Sequence, residues 1–282
     1  MTDEENQTVE EEAGARKKMS KKRFLWIGLV IVLIAVFFIL SKDRKNTSTI
    51  SKDESEIAPQ FIQADFVDLS RIYSISKFRS GSGHDFSNGT EETCRSMKHY
   101  FNVAWTEEGE RQRRKNNEMP PAPDGKNDIK IFSPVDGKIT SIQSEQKPIG
   151  EQIYIRPDNY PGYTIRLFHI YKLDNIKDGS SLKAGQQIGV IGQYQNTDIA
   201  IESRSVFATE FFSYFEVMSD SVFEKYKARG VNDKSELIIT KEYRDANPLK
   251  CNGEQFAENY DQTEPEKHFI YLSGYTDPNT NR

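Results

Sequence analysis

Residues 129–202 read as a run of short apolar segments: IKIFSPVDGKITSI at 129–142, QIYIRP at 152–157, YTIRLFHI at 163–170, QQIGVIG at 186–192 and DIAIE at 198–202. β-Branched residues fill these segments, and turn formers such as Pro134-Val135-Asp136-Gly137 break them. Such a pattern predicts strands joined by tight turns, a compact β block.

Working outward, FFSYFEVM at 211–218 predicts one more strand. Ser219 or Asp220 can cap a helix through Tyr226, and ELIIT at 236–240 predicts a further strand before a second short helix. Upstream, residues 106–128 (TEEGERQRRKNNEMPPAPDGKND) combine a charge run with Pro120, Pro121 and Pro123, which predicts an exposed insertion. Between 91 and 101, Cys94, Met97 and Tyr100 or Phe101 fall at helical spacing and predict a short helix.

Residues 24–40, FLWIGLVIVLIAVFFIL, are uninterruptedly apolar in a chain that is otherwise polar and charged. At roughly 1.5 Å per residue this run spans about 26 Å, close to a hydrocarbon core of roughly 30 Å. It ends FFILSK without a small-residue cleavage pattern, so an uncleaved anchor is expected rather than a signal peptide. Arg16, Lys17, Lys18, Lys21, Lys22 and Arg23 precede it, against Lys42, Arg44, Lys45 and Lys52 after it. That bias places the N-terminus inside and the rest outside the cytoplasm. The expected organisation is a cytoplasmic tail at 1–23, a single transmembrane helix at 24–41, a polar linker at 42–60 and an exported domain at 61–282 with its core at about 129–202.

A net charge of −5, with acidic and basic residues interleaved, gives no basis for neutralising a phosphate backbone, so nucleic acid is not an expected partner. The two cysteines, Cys94 and Cys251, both fall in the exported part, where disulfides persist, and are expected to pair. His99 is expected to be a packing histidine and His268 to lie on the surface.

Three segments carry a family resemblance: SPVDGKI at 133–139, TIRLFHI at 164–170 and DGSSLKAGQQIGVIG at 178–192. They resemble the lysostaphin-type zinc metallopeptidases that cut cell-wall cross-links. The resemblance implies a mainly β fold with short helices, built on the duplicated hybrid motif β-sandwich. It further implies an H-x-x-x-D motif giving two zinc ligands, a strand carrying a catalytic histidine, and a later H-x-H giving the third ligand and another histidine.

The first motif falls on SGSGHDF at 80–86, where Asp85 matches the aspartate but Gly81 stands in place of the histidine. His169 matches the strand histidine, while Asp198 and Ala200 stand where the later histidines belong. A catalytic zinc takes three protein ligands and one open position. With Ala200 at a ligand position, the expected protein is a degenerate peptidase-like module that binds peptidoglycan or an envelope hydrolase and carries no cofactor. The alternative is a zinc endopeptidase with a rearranged set, His84, Asp85 and Asp198, and His169 as general acid or base.

Overall fold

The computed structural model describes residues 58–115, 120–145, 149–205 and 208–280. Residues 57–282 form one compact unit. The expected membrane span, the tail and most of the linker lie outside the described residues. Among the described residues no helix is long and apolar enough to cross a membrane.

Thirteen strands and five short helices make up the described chain, so it is mainly β. The strands are β1 (Ile72–Ser76), β2 (His99–Val103), β3 (Ile129–Phe132), β4 (Gly137–Ser144), β5 (Glu151–Pro157), β6 (Tyr163–Lys172) and β7 (Ser181–Leu182). They continue with β8 (Gln187–Ile191), β9 (Thr197–Arg204), β10 (Thr209–Phe212), β11 (Cys251–Asn252), β12 (Gln255–Phe256) and β13 (Phe269–Tyr271). The helices are α1 (Glu107–Lys115), α2 (Asp220–Lys227), α3 (Lys241–Ala246), α4 (Tyr260–Thr263) and α5 (Pro265–His268).

Alternation decides which face of a strand is buried. In β4, Gly137 and Ile139 are inside while Lys138 and Thr140 point to solvent. β9 departs from alternation: its first six residues are all buried, because β6 lies along one edge, β2 and β10 along the other, and both faces are covered. The main path runs β13-β1-β2-β9-β6-β5-β4-β7. β3 joins through β8, which pairs with the far end of β6 at Tyr171 and Lys172.

One feature of β6 positions the candidate site. Its register against β5 slips between Glu151↔Ile170 and Ile153↔Leu167, so β6 carries an extra residue at Phe168-His169. His169 adopts φ 64°, a left-handed conformation uncommon for a non-glycine residue. Gly150 faces this bulge, and a Cβ there would lie 2.8 Å from the Ile170 carbonyl oxygen. A β-bulge re-aims a side chain in this way.

The larger of two apolar clusters among the described residues runs through the unit. It holds Phe61, Ile62 and Phe66 from the start, Ile153, Ile165, Leu167, Ile199 and Ile201 from the sheet, and Tyr214, Phe215, Phe223, Tyr226 and Leu237 from the later part. The region after 204 is therefore built into the domain rather than appended to it.

Several local expectations are corrected. The stretch 91–101 forms no helix. His99–Val103 is a strand between β1 and β9, because pairing and burial on both sides override the apparent helical spacing. ELIIT is not a strand: Lys234–Leu237 is a 3-10 turn, followed by a single parallel bridge from Ile238 to Phe78. Of FFSYFEVM only the first two residues lie in β10, and the rest turn inward to bury Tyr214 and Phe215. The insertion at 106–128 contains α1, with acids in its first turn, bases in its last, and Glu108–Arg111 and Glu110–Arg114 pairs on its surface. The expected helix after Ser219 is α2, though the Ser219 side chain makes no capping hydrogen bond, and the second short helix is α3.

Candidate functional site

At the bulge, His169 is gripped by two carboxylates. Its Nδ1 lies 2.7 Å from Glu145 Oε2, its backbone N–H donates to the same oxygen at 3.1 Å, and its Nε2 lies 3.0 Å from Asp198 Oδ1. The other Asp198 oxygen, Oδ2, is held by the Lys98 ammonium. Lys98 precedes β2 and Asp198 sits in β9, so the pairing of these strands brings the charges together. The Lys98 ammonium is also caged by the rings of Phe168, Phe86 and Tyr100, at 4.2, 4.7 and 4.9 Å from their centroids.

The result is a chain of alternating charge, Lys98–Asp198–His169–Glu145. Burial opposes the charges of Lys98, Asp198 and His169, but the opposite charges prevail. Asp198, despite burial, is held well below the usual carboxylate range by Lys98 and His169. Although burial lowers it, hydrogen bonds donated to Asp198 and Glu145 raise His169 to about 10. Lys98 is raised by Asp198 against its own burial.

These facts set what the site can do. An imidazolium donating from both nitrogens has no lone pair at neutral pH, so His169 is not poised as a general base. The general-base half of its expected role therefore has no support in the geometry, and both ring N–H groups are engaged by Glu145 and Asp198. The role found is structural: a cation bridging two carboxylates.

The proposed rearranged metal set is not brought to one point. His84 Nδ1 is hydrogen-bonded at 2.9 Å to the Asp85 carbonyl oxygen, and burial together with Lys98 lowers its pKa. Asp85 Oδ1 accepts from the Ser87 hydroxyl at 2.6 Å and from the backbone N–H of Ser87 and Arg95. Asp198 is committed to Lys98 and His169. Among the described residues no group of three or more His, Cys, Asp or Glu side chains could hold a metal ion.

Nor do the remaining ligand positions leave room for one. At Gly81, an added Cβ would lie 2.8 Å from Tyr260 Cβ, so the C-terminal region closes over the place a ligand side chain would start. Ala200 belongs to an apolar cluster with Phe78, Met97, Phe168 and Phe211. The zinc implied by the family resemblance thus does not fit the residues present.

Beside the bulge lies an open cavity of about 320 Å³, lined by His84, Asp85, Asn88, Arg166, Glu202 and Glu254 among others. Arg166 pairs with Glu202 at 3.5 Å and donates to Gln152 at 3.1 Å. His84 and Asp85 thus face this groove, whereas Asp198 lies behind it, buried.

Cys94 and Cys251 form the expected disulfide, tying the loop after Asp85 to β11 across 157 residues of sequence. His99 is fully buried, its ring bonded to the Ser76 carbonyl and the Ser213 hydroxyl. His268, expected on the surface, is buried, its Nδ1 accepting from Gly81 N–H at 2.9 Å. Lys98 and Glu145, half of the charge chain, were not singled out from the sequence. Neither belongs to a motif, and only strand pairing and the bulge make them neighbours of Asp198 and His169.

No protein-family model and no curated protein matches the sequence. Solved structures similar to parts of it include peptidases. The catalytic domain of lysostaphin from Staphylococcus simulans is 22% identical over 35% of this chain and 92% of its own, with a TM-score of 0.23. A putative glycyl-glycine endopeptidase, LytM, from Ruminococcus gnavus is 16% identical over 50% of this chain and 59% of its own, TM-score 0.28. A zinc-containing peptidase from Vibrio cholerae is 15% identical over 56% and 41%, TM-score 0.29. The chain spans 43% of lysostaphin in that protein's solution structure. Likenesses this low do not carry a site or an activity across.

Proposed function

We propose that this chain is a single-pass membrane protein of a bacterial envelope whose exported domain is a degenerate lysostaphin-type module, with a duplicated hybrid motif core, that binds cell-wall peptide without hydrolysing it. The anchor and its orientation rest on the apolar run at 24–40 and the flanking Lys and Arg residues. The core assignment rests on the SPVDGKI, TIRLFHI and DGSSLKAGQQIGVIG segments.

The observation that carries the non-hydrolytic reading is the Lys98–Asp198–His169–Glu145 chain. It commits, to internal charge pairing, the two site residues that a metallopeptidase would need free for water and proton transfer. The open groove lined by His84, Asp85 and Arg166 supports a retained binding role.

The test is elemental analysis of the purified, untagged protein after dialysis, followed by sedimentation with insoluble cell wall. Zinc at background together with co-sedimentation is the expected result. About one zinc per chain, lost on Asp85→Ala, would replace this reading with the zinc endopeptidase. Absence of both zinc and co-sedimentation would remove the cell-wall ligand.

A further inference from the structure

A second and larger cavity, about 800 Å³, lies in the C-terminal part and is lined by residues of α3, α5 and the turns before and after them. Its volume is that of a small-ligand or short-peptide site. Nothing in the charge chain at the bulge lines it.

Two of its lining side chains are buried donors with unused capacity. Arg244, on α3, is 4% exposed. Its Nε donates to the Arg79 carbonyl at 2.9 Å and its Nη1 to the Asn247 carbonyl at 3.0 Å. Both bonds are to neutral backbone, and among the described residues no carboxylate pairs with it. Asp245 is taken by Arg95 and Lys241, Glu92 by Arg79 and Arg95, and Glu264 by Lys267, while Glu236 and Glu266, which also border the cavity, form no ion pair with Arg244. Consistent with a missing counter-ion, burial and then the charge of Arg95 push the Arg244 guanidinium down.

His268 is 2% exposed, and its Nδ1 accepts the Gly81 N–H. In the neutral ring the proton is therefore on Nε2, which makes no hydrogen bond among the described residues. Arg244 Nη2 and His268 Nε2 therefore present two donors to the same cavity, with no acceptor from the described residues, and an acceptor from outside can take both. Lys77, whose Nζ donates to the Glu266 carbonyl at 3.2 Å, and Lys267, which is paired with Glu264, add two further cations to the lining.

The rest of the lining narrows the ligand. Glu236, Glu264 and Glu266 border the same cavity, which disfavours a multiply charged anion and leaves room for a single carboxylate. Ile238, Pro248, Leu249 and the Tyr243 ring, a side chain of a residue 52% exposed, offer an apolar wall.

We propose that this cavity binds the free carboxylate of a peptide, received by Arg244 Nη2 and His268 Nε2–H, with the preceding residue laid against Tyr243 and Leu249. The proposal stands apart from the reading of the bulge, since neither metal nor hydrolysis enters it.

The test is calorimetric titration of the purified full chain in detergent micelles with N-acetyl-alanyl-alanine, with the same peptide as its C-terminal amide, and with inorganic phosphate. Saturable binding of the acid, weakened about tenfold or more in the amide, is expected, because a charge-assisted bidentate contact is lost. Arg244→Gln is expected to abolish binding. Because Arg244 also holds two backbone carbonyls, Tyr243→Ala, at an exposed position, serves as the second variant and is expected to weaken the acid about threefold with an unchanged melting temperature. No saturable binding of the acid, equal binding of acid and amide, equal binding of phosphate, or unchanged affinity in Tyr243→Ala would each overturn the proposal.

Discussion

Lys98 and Asp198 face each other from neighbouring strands as a buried ion pair, their side chains 4% and 1% exposed, with His169 on the far side of the carboxylate. Two ions taken out of water attract strongly only while both are present. The pair therefore couples the residue just before β2 to the start of β9 at the point where the bulge delivers the imidazole.

Removing one partner strands the other. Asp198→Ala is expected to destabilise the domain by about 3–5 kcal/mol, and Lys98→Met by a similar amount, in denaturant unfolding. The double variant Lys98→Met/Asp198→Leu is expected to recover most of that loss, because the surroundings of Lys98 are the rings of Phe86, Tyr100 and Phe168. A double variant as unstable as the sum of the singles would show that the site needs the charges themselves.

Stability should peak near pH 6.5. His169 has its folded value raised from 6.5 to about 10, so its contribution is complete below pH 6.5 and is lost as pH rises toward 10. His99 and His268 are pushed down from 6.5 to about 4 by burial, so the folded state resists their protonation. Their effect is a gain in stability as pH rises from about 4 to 6.5. Melting temperatures taken from pH 4 to 10 check both arms, and His169→Gln should flatten the alkaline arm alone.

Restoring a histidine to the second motif should not restore a metal site. Ala200→His puts an imidazole into the cluster of Phe78, Met97, Phe168 and Phe211, and overpacking there is expected to cost about 1–3 kcal/mol. Zinc content should stay at background and chelator should leave the melting curve unmoved. Stoichiometric zinc in this variant would mean that Asp85 and the groove are closer to a ligand set than their hydrogen bonds indicate.

Reduction of Cys94–Cys251 should destabilise the domain by about 2–5 kcal/mol, since the bridge closes a loop of 157 residues in the unfolded chain. Unfolding with and without reductant, with Cys94→Ser/Cys251→Ser as control, measures it. Alkylation of both cysteines in the native protein without reductant would contradict the bridge.

The strands between 129 and 202 were legible because short β-branched runs and turn residues are local signals. IKIF, GKITSI, QIYIRP, QQIGVI and DIAIE fall within or overlap β3, β4, β5, β8 and β9. The helix at 107–115 could have been found from its acids-first, bases-last order, but the nearby prolines masked it. The helical spacing within 91–101 has another origin: Met97 is buried in the apolar cluster with Phe78 and Phe168, and Phe101 in the strand paired with β9.

At the candidate site the residue types alone carried the losses: glycine at 81 and alanine at 200 offer no ligand atom wherever the chain puts them. What replaced the ligands depends on distances no spacing encodes. Lys98 and Asp198 are 100 positions apart, Glu145 and His169 are 24 apart, and each meets its partner only because β2 pairs with β9 and an extra residue in β6 turns the imidazole inward. Side-chain identity is a property of the chain, but the dielectric and the neighbours that make His169 a lasting cation and leave Arg244 without a counter-ion are properties of packing, created when remote strands and helices exclude water together.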